Sequence, residues 1–308
     1  MKSKFTLPVS QDTLLKGYIY TPDKDAEAII VICHGMAEHI KRYDNFAKFL
    51  SSNNIIVLGY DQRGHGETLT TQEDMGYMSD IDNFEAMIGD LLSIVNYAKQ
   101  LFTKLPIYII GHSMGSFILQ RYIQLYGNSI NGAILSGSAL NKGLLIDVGY
   151  FLACLITKFR GRRYRSKLMD KLSLGPFNKP FKPNRTSVDW LSRDEKVVDK
   201  YVEDPLCGKL FTVSYFLDLT KNFKNLNRNY ELIPKNLPIL MFSGSNDPVG
   251  GCGKTVTKLH NKLKQIGITD LTFKLYEGGR HEMLNEINKE EVYEDIKKWL
   301  KQHIANLS

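Results

Sequence analysis

Pro106-Ile107-Tyr108-Ile109-Ile110-Gly111-His112-Ser113-Met114-Gly115-Ser116-Phe117-Ile118-Leu119 is the stretch that decides the fold. Its first five residues are apolar and largely β-branched, which reads as a buried strand. From Ser116 on, through Gln120-Arg121-Tyr122-Ile123, it reads as a helix. Between the two stands Gly111-His112-Ser113-Met114-Gly115, a Gly-x-Ser-x-Gly at a strand-to-helix turn, the setting of a nucleophile elbow. Ser113 is expected there in a strained backbone conformation, with its hydroxyl lifted clear of the sheet. Side chains at 111 and 115 would collide with the neighbouring strand and helix, so glycine occupies both. The first N–H groups of the helix lack helical acceptors and point at whatever the hydroxyl attacks.

Outward from the elbow, apolar strands alternate with amphipathic helices. Upstream, residues 5–7 and 17–20 read as an opening antiparallel hairpin. Residues 28–33 form a continuous apolar strand buried on both faces, followed by a helix over 43–51 and a strand over 54–60. Phe84, Met87, Ile88, Leu91, Leu92, Val95, Ala98 and Leu101 share one face of a helix running from 83 to 102. Downstream lie strands at 130–136, 237–243 and 271–276, a helix at 255–265, and a last helix carrying Val292, Tyr293, Ile296, Trp299 and Leu300. This alternation predicts right-handed crossovers and a mostly parallel eight-stranded sheet with helices on both faces, an α/β fold. The alternation stops between 139 and 228, where helical segments mix with Pro-rich pieces such as Gly175-Pro176-Phe177-Asn178-Lys179-Pro180-Phe181-Lys182-Pro183. That stretch is expected to be an inserted helical cap, leaving 1–138 and 229–308 as the core.

A serine hydroxyl at neutral pH needs a base and an orienting acid. On such a sheet they follow later strands, in the order Ser, Asp or Glu, His. The strand at 237–243 ends in Gly244-Ser245-Asn246-Asp247-Pro248, and the last strand ends in Glu277-Gly278-Gly279-Arg280-His281-Glu282. Asp247 and His281 are therefore the expected partners of Ser113. An oxyanion needs two N–H donors. Met114, just after the serine, and Met36, in His34-Gly35-Met36 after the third strand, are expected to supply them. His34 is expected to brace that loop. Asp61 and Arg63 are expected to pair and fix a neighbouring loop, with His65 structural. His112 is expected to pack sideways. Pro248-Val249-Gly250-Gly251-Cys252-Gly253-Lys254-Thr255 lacks the first glycine of a P-loop, so no nucleotide is expected. Cys252 is expected near the pocket.

The composition agrees with a globular domain: 43% of the 308 residues are hydrophobic and 24% charged. No apolar run is long enough to span a membrane. Four cysteines without Cys-x-x-Cys spacing suggest neither a zinc site nor a disulfide framework. With no visible secretory signal, they fit a reducing, cytoplasmic setting. The net charge of +7 is concentrated near one loop, and no nucleic-acid motif accompanies it, so nucleic acid is not an expected partner.

Taken together, His34-Gly35-Met36-Ala37-Glu38-His39 with Arg42-Tyr43, Tyr60-Asp61-Gln62-Arg63-Gly64-His65-Gly66 and Gly111-His112-Ser113-Met114-Gly115 resemble the α/β-hydrolase superfamily. More narrowly, they resemble its monoacylglycerol lipase and bacterial lysophospholipase branch, which includes serine aminopeptidase S33-type hydrolases. The resemblance covers residues 16–138 and 233–303. The stretch from Asn184 to Asp194 is similar to caps of bacterial members. One departure is Glu67-Thr68, where relatives usually carry x-Ser. The resemblance implies hydrolysis of acyl esters of glycerol or lysophospholipid through an acyl-enzyme, without metal or cofactor. Two rivals remain open: a proline-directed aminopeptidase or small-ester hydrolase on the same fold, and a non-catalytic binding protein.

Within the expected cap, Leu144 to Ile156 is nearly all apolar, and Leu145, Tyr150 and Phe151 are the candidate substrate-binding residues. Lys158, Arg160, Arg162, Arg163, Arg165 and Lys167 follow. Apolar segment and basic cluster together suit an acyl-ester lipid substrate and transient contact with a membrane surface.

Overall fold

In the computed structural model, which describes residues 1–140 and 143–307, eight strands form one sheet. They are β1 (Lys2–Ser10), β2 (Thr13–Tyr20), β3 (Ala28–Cys33), β4 (Ile55–Asp61), β5 (Ile107–His112), β6 (Gly132–Ser136), β7 (Ile239–Gly244) and β8 (Leu271–Tyr276). Their order is β1-β2-β4-β3-β5-β6-β7-β8. β1 and β2 pair antiparallel, as do β2 and β4, and the remaining pairs are parallel. The centre of the sheet reads as continuous apolar runs because both faces are covered. In β3 all six residues are buried. Ile29, Val31 and Cys33 join the core on one face, while Ala28, Ile30 and Ile32 join the other. That is the period of two dictated by the pleat.

The covering helices follow the amphipathic segments. α1 (Asp44–Ser51) and α9 (Lys289–Ala305) pack on the Ile30 face through Phe46, Leu50, Ile296 and Trp299. α2 (Asn83–Leu101), α3 (Met114–Tyr126) and α8 (Lys254–Gln265) cover the Ile29 face through Leu91, Ile118 and Leu259 among others. In α2, Asp82 caps the N-terminus by accepting the N–H groups of Phe84 and Glu85 at 3.1 Å each. The expected apolar face is buried except at Leu92, which is half-buried, and at its end, where Leu101 is exposed; Ile94 joins it.

β1 runs well beyond the expected 5–7. As an edge strand it buries little, so alternate polar residues such as Lys2 and Lys4 mask its period. Between β6 and β7 the chain leaves the sheet and forms α4 (Leu144–Arg160), α5 (Lys167–Ser173), α6 (Glu195–Glu203) and α7 (Val213–Arg228). Asn141 and Lys142, inside the expected cap, lie outside the described residues. α4 lies along α7. Asp218 of α7 accepts from the backbone N–H of Asn83 at 3.0 Å and from Arg162 at 2.7 Å, tying the excursion to α2.

Candidate active site

The sheet delivers the site at the carboxyl ends of its strands, as in other open α/β sheets. Ser113 sits between β5 and α3 with φ 52° and ψ −118°, the strained geometry expected of it. The two glycines are sterically required. A Cβ on Gly115 would run into the carbonyl of Cys33 at the end of β3, and one on Gly111 into the carbonyl of Gly115. Ser113 donates its N–H to Ser136 O at 2.9 Å, and Ser116 returns its own N–H and hydroxyl to Ser113 O.

His281 lies in the loop after β8, and Asp247 in the loop after β7. The imidazole Nδ1 is 2.9 Å from Asp247 Oδ1, with both side chains buried. Asp247 also accepts from the Ser243 hydroxyl and the Val249 N–H, each at 2.9 Å. Burial favours the neutral acid, but the charge of His281 and these hydrogen bonds hold the Asp247 carboxyl below its ordinary value. For His281, burial works against protonation and Asp247 outweighs it, so its pKa stands above the ordinary one. Nε2 of His281 is buried and without a hydrogen-bond partner. His281 and Ser113 line the same cavity, which has a volume of about 540 Å³. The imidazole is held between two rings, His112 at 4.7 Å and Trp190 at 5.0 Å. His112 packs sideways, its Nδ1 3.1 Å from the Ser136 hydroxyl. Burial, with the nearby His281, pulls its pKa down to about 4, which keeps it neutral.

Met36 and Met114 both line the cavity. Met114 is the first residue of α3, so its N–H has no helical acceptor. The loop around Met36 is braced from below. His34 Nε2 accepts the Gln62 N–H at 3.0 Å, which leaves its Nδ1 to donate to Gly35 O at 2.7 Å. His65 Nε2 accepts the Ala37 N–H at 3.3 Å. Glu38 accepts the Gly35 N–H at 2.6 Å and the Tyr43 hydroxyl at 2.7 Å.

Several expectations are corrected. Arg63 does not pair with Asp61. It forks onto Asp90 of α2 at 2.6 Å twice, while Asp61 accepts the N–H groups of Ile40 and Glu67 at 2.8 and 2.7 Å. Asp90 is brought in by tertiary packing that local spacing does not reveal. Cys252 keeps its expected place near the cavity, since its neighbour Gly251 lines it, but Cys252 itself is exposed and is not a lining residue. Of the candidate substrate-binding residues, Leu145 reaches the cavity, together with Ile146, Val148, Gly149 and Leu152 of α4. Tyr150 instead lies under Lys224 at 4.5 Å, and Phe151 is 64% exposed on the outer stripe of α4. The basic cluster is also partly committed. Arg162 is paired with Asp218, Arg163 with Asp80, and Arg165 donates to the carbonyls of Leu210 and Glu73. Lys158, Arg160 and Lys167 remain exposed.

Two features carried no recognisable role in the sequence. Arg42 donates to both Glu38 and Glu282, joining the Met36 loop to the residue after His281. The stretch 189–193 clamps the histidine loop. His281 and Glu282 donate their N–H groups to the carbonyls of Trp190 and Leu191 at 3.3 and 2.8 Å. Arg193 Nε reaches Glu286 at 3.0 Å, and Arg280 donates to the carbonyls of Asp189 and Ser192. Arg42 and Trp190 lie in stretches that carry the family resemblance, and no local spacing signals these contacts.

The arrangement can deprotonate a hydroxyl, support the resulting imidazolium, and offer N–H groups to an oxyanion, all against an apolar wall. A family model described as serine aminopeptidase, S33, matches residues 24–288. A monoacylglycerol lipase of Mycolicibacterium smegmatis is 27% identical over 293 residues, covering 93% of this chain and 92% of its own length. A monoglyceride lipase of Rattus norvegicus is 26% identical over 289 residues, covering 93% and 86%. Among solved structures, a thermostable carboxyl esterase from Bacillus coagulans superposes with a TM-score of 0.91 at 24% identity, covering 98% of this chain and 99% of that one.

Proposed function

The chain belongs to the serine aminopeptidase S33 family of α/β-hydrolases, and from that premise we propose that it hydrolyses the ester of a monoacylglycerol through a Ser113 acyl-enzyme. Ser113 attacks the ester carbonyl while His281 Nε2 takes its proton. Asp247 keeps Nδ1 protonated and supports the imidazolium. The N–H groups of Met36 and Met114 receive the oxyanion. His281 then protonates the departing alcohol, and water, activated by the same histidine, releases the fatty acid. Residues 139–228 act as the cap, with α4, α5 and α7 walling the acyl chain. None of these steps asks for a metal or a cofactor.

The observation that carries this reading is the composition of the cavity wall. Phe117, Leu152, Met169, Phe216, Leu219 and Phe223 make it apolar, and among the described lining residues there is no lysine or arginine. The charged groups at its edge are Glu38 and Glu282, both tied to Arg42. Such a wall suits a fatty acyl chain and a neutral headgroup, and it opposes a phosphate. Lysophospholipid is thus the less favoured substrate. An aminopeptidase would need a free acid in the cap for the substrate amine. Asp189 is committed to the N–H groups of Arg185 and Thr186, Asp194 caps α6, and Glu195 faces solvent.

Transient membrane contact is supported by α4. Leu144, Phe151, Leu155 and Phe159 form an exposed apolar stripe at helical spacing, with Lys158 and Arg160 at its end. A cytoplasmic setting is supported by the four free cysteines. No helix among the described residues is long and apolar enough to cross a membrane.

The test is product mass spectrometry after incubating the native chain and Ser113→Ala with monoacylglycerols, lysophosphatidylcholine, short esters and aminoacyl-naphthylamides. Serine-dependent fatty acid release, fastest from monoacylglycerol, is expected. Turnover confined to naphthylamides, or undiminished in Ser113→Ala, would overturn the reading.

A further inference from the structure

Beside the loop that carries Met36, three side chains from two distant parts of the chain converge. We propose that His39, Asp204 and Cys207 form a binding site for a zinc-class divalent cation, which ties the loop after β3 to the turn between α6 and α7. Their donor atoms all lie within 4.8 Å of one another. They offer one imidazole nitrogen, one carboxylate oxygen and one sulfur, the mixed set that zinc favours over calcium or magnesium.

The donors are preorganised. His39 Nε2 lies 2.8 Å from Asp204 Oδ2. Asp204 Oδ1 accepts the Leu206 N–H at 2.8 Å, and Asp204 O accepts the Cys207 N–H at 3.0 Å, so one turn fixes both donors. Gly208 donates its N–H to Ala37 O at 2.9 Å and holds that turn against the loop bearing His39. His39 and Cys207 are buried, while the Asp204 side chain is 29% exposed, which gives a route from solvent and room for water as a fourth ligand.

A further observation points to a cation: the local charge is unbalanced. Arg42, near Cys207, spends its guanidinium on Glu38 and Glu282, so one buried cation faces those two carboxylates and Asp204. The surplus negative charge favours a dication.

Binding balances without redox chemistry. The Cys207 S–H bond breaks and its proton leaves to solvent as the metal–sulfur bond forms. His39 binds through a neutral nitrogen, and Asp204 through an oxygen already anionic. Because a proton must leave Cys207 for its sulfur to bind, uptake weakens as the pH falls. The proposal is independent of the ester-hydrolase reading, because it is read by binding alone.

The full chain, reduced and stripped of metal, is titrated with Co²⁺ and then Zn²⁺ beside Cys207→Ser, Asp204→Asn and Cys252→Ala. One equivalent of Co²⁺ is expected to give a thiolate-to-cobalt charge-transfer band in the near ultraviolet with four-coordinate d–d bands, both abolished by Zn²⁺. Cys207→Ser should lose the charge-transfer band and bind about 100-fold more weakly. Asp204→Asn should keep the band but bind at least about 10-fold more weakly, and Cys252→Ala should match the native chain. No charge-transfer band in the native chain would overturn the site whatever the variants do. So would a band that survives in Cys207→Ser, or one lost in Cys252→Ala.

Discussion

Arg42 closes a fork on Glu282, with Nη1–Oε1 and Nη2–Oε2 both at 2.6 Å. The same Nη1 reaches Glu38 at 2.6 Å, and Glu38 holds the N–H of Gly35. A single buried guanidinium therefore sets the distance between the loop of Met36 and the loop of His281. Replacing it with Met leaves two buried carboxylates without a cation. Arg42→Met is expected to lower unfolding free energy by about 3–5 kcal/mol, read from denaturant midpoints. Arg42→Lys, which cannot fork, should fall between the two. A loss below about 1 kcal/mol would mean that water or protonation relieves the acids instead.

The pH dependence follows from Asp247 and His281. Burial lowers the histidine pKa and Asp247 raises it by more, so the net shift is upward from 6.5. The neutral imidazole is the base, so kcat/KM for a neutral ester is expected to rise with pH, with a midpoint above 6.5. Asp247→Asn should move that midpoint down and lower kcat by about 10⁴. For stability the signs differ. The raised histidine stabilises fully below its unfolded pKa, and that contribution is lost as pH rises through its folded value. The depressed aspartate contributes above its unfolded value of 3.8 and loses that as pH falls through its folded pKa. The pair therefore supports the fold most in mildly acidic solution, which thermal melts between these limits would show.

Trp190 covers one face of the His281 ring, and its carbonyl accepts that residue's N–H. Trp190→Ala opens a gap in which the imidazole can tilt. It is expected to lower kcat about 10- to 100-fold with a smaller change in KM, whereas Trp190→Phe keeps most of the rate. A pure KM effect in Trp190→Ala would show that the ring serves substrate packing alone.

The outer stripe of α4 faces solvent, away from Leu152 and the cavity. Phe151→Asp with Phe159→Asp should therefore reduce hydrolysis of monoacylglycerol in vesicles while changing the rate on a water-soluble ester by less than about twofold. Equal loss on both substrates would place the stripe in catalysis or folding rather than at a lipid surface.

What could be read from the residues alone was what local sterics dictate. The glycines at 111 and 115, a strand before them and a helix after them leave one tolerable geometry for Ser113, because a Cβ at 115 meets the Cys33 carbonyl. Continuous apolar runs named the central strands, because both of their faces are covered, and a period of 3.6 named α2, of which one face is buried. Asp247 and His281 followed from chain order on such a sheet.

Tertiary structure decided the rest. α4 is apolar nearly all round, so it carries no polar face to set its phase, and only its packing on α7 put Leu152 inward and Phe151 outward. Arg63 found Asp90, and Arg42 found Glu282 at a separation of 240 residues. His39 and Asp204 lie 165 residues apart, so no ligand spacing could announce them. Local rules act over a few bonds, whereas charge pairing and donor clustering are set by which surfaces the fold presses together.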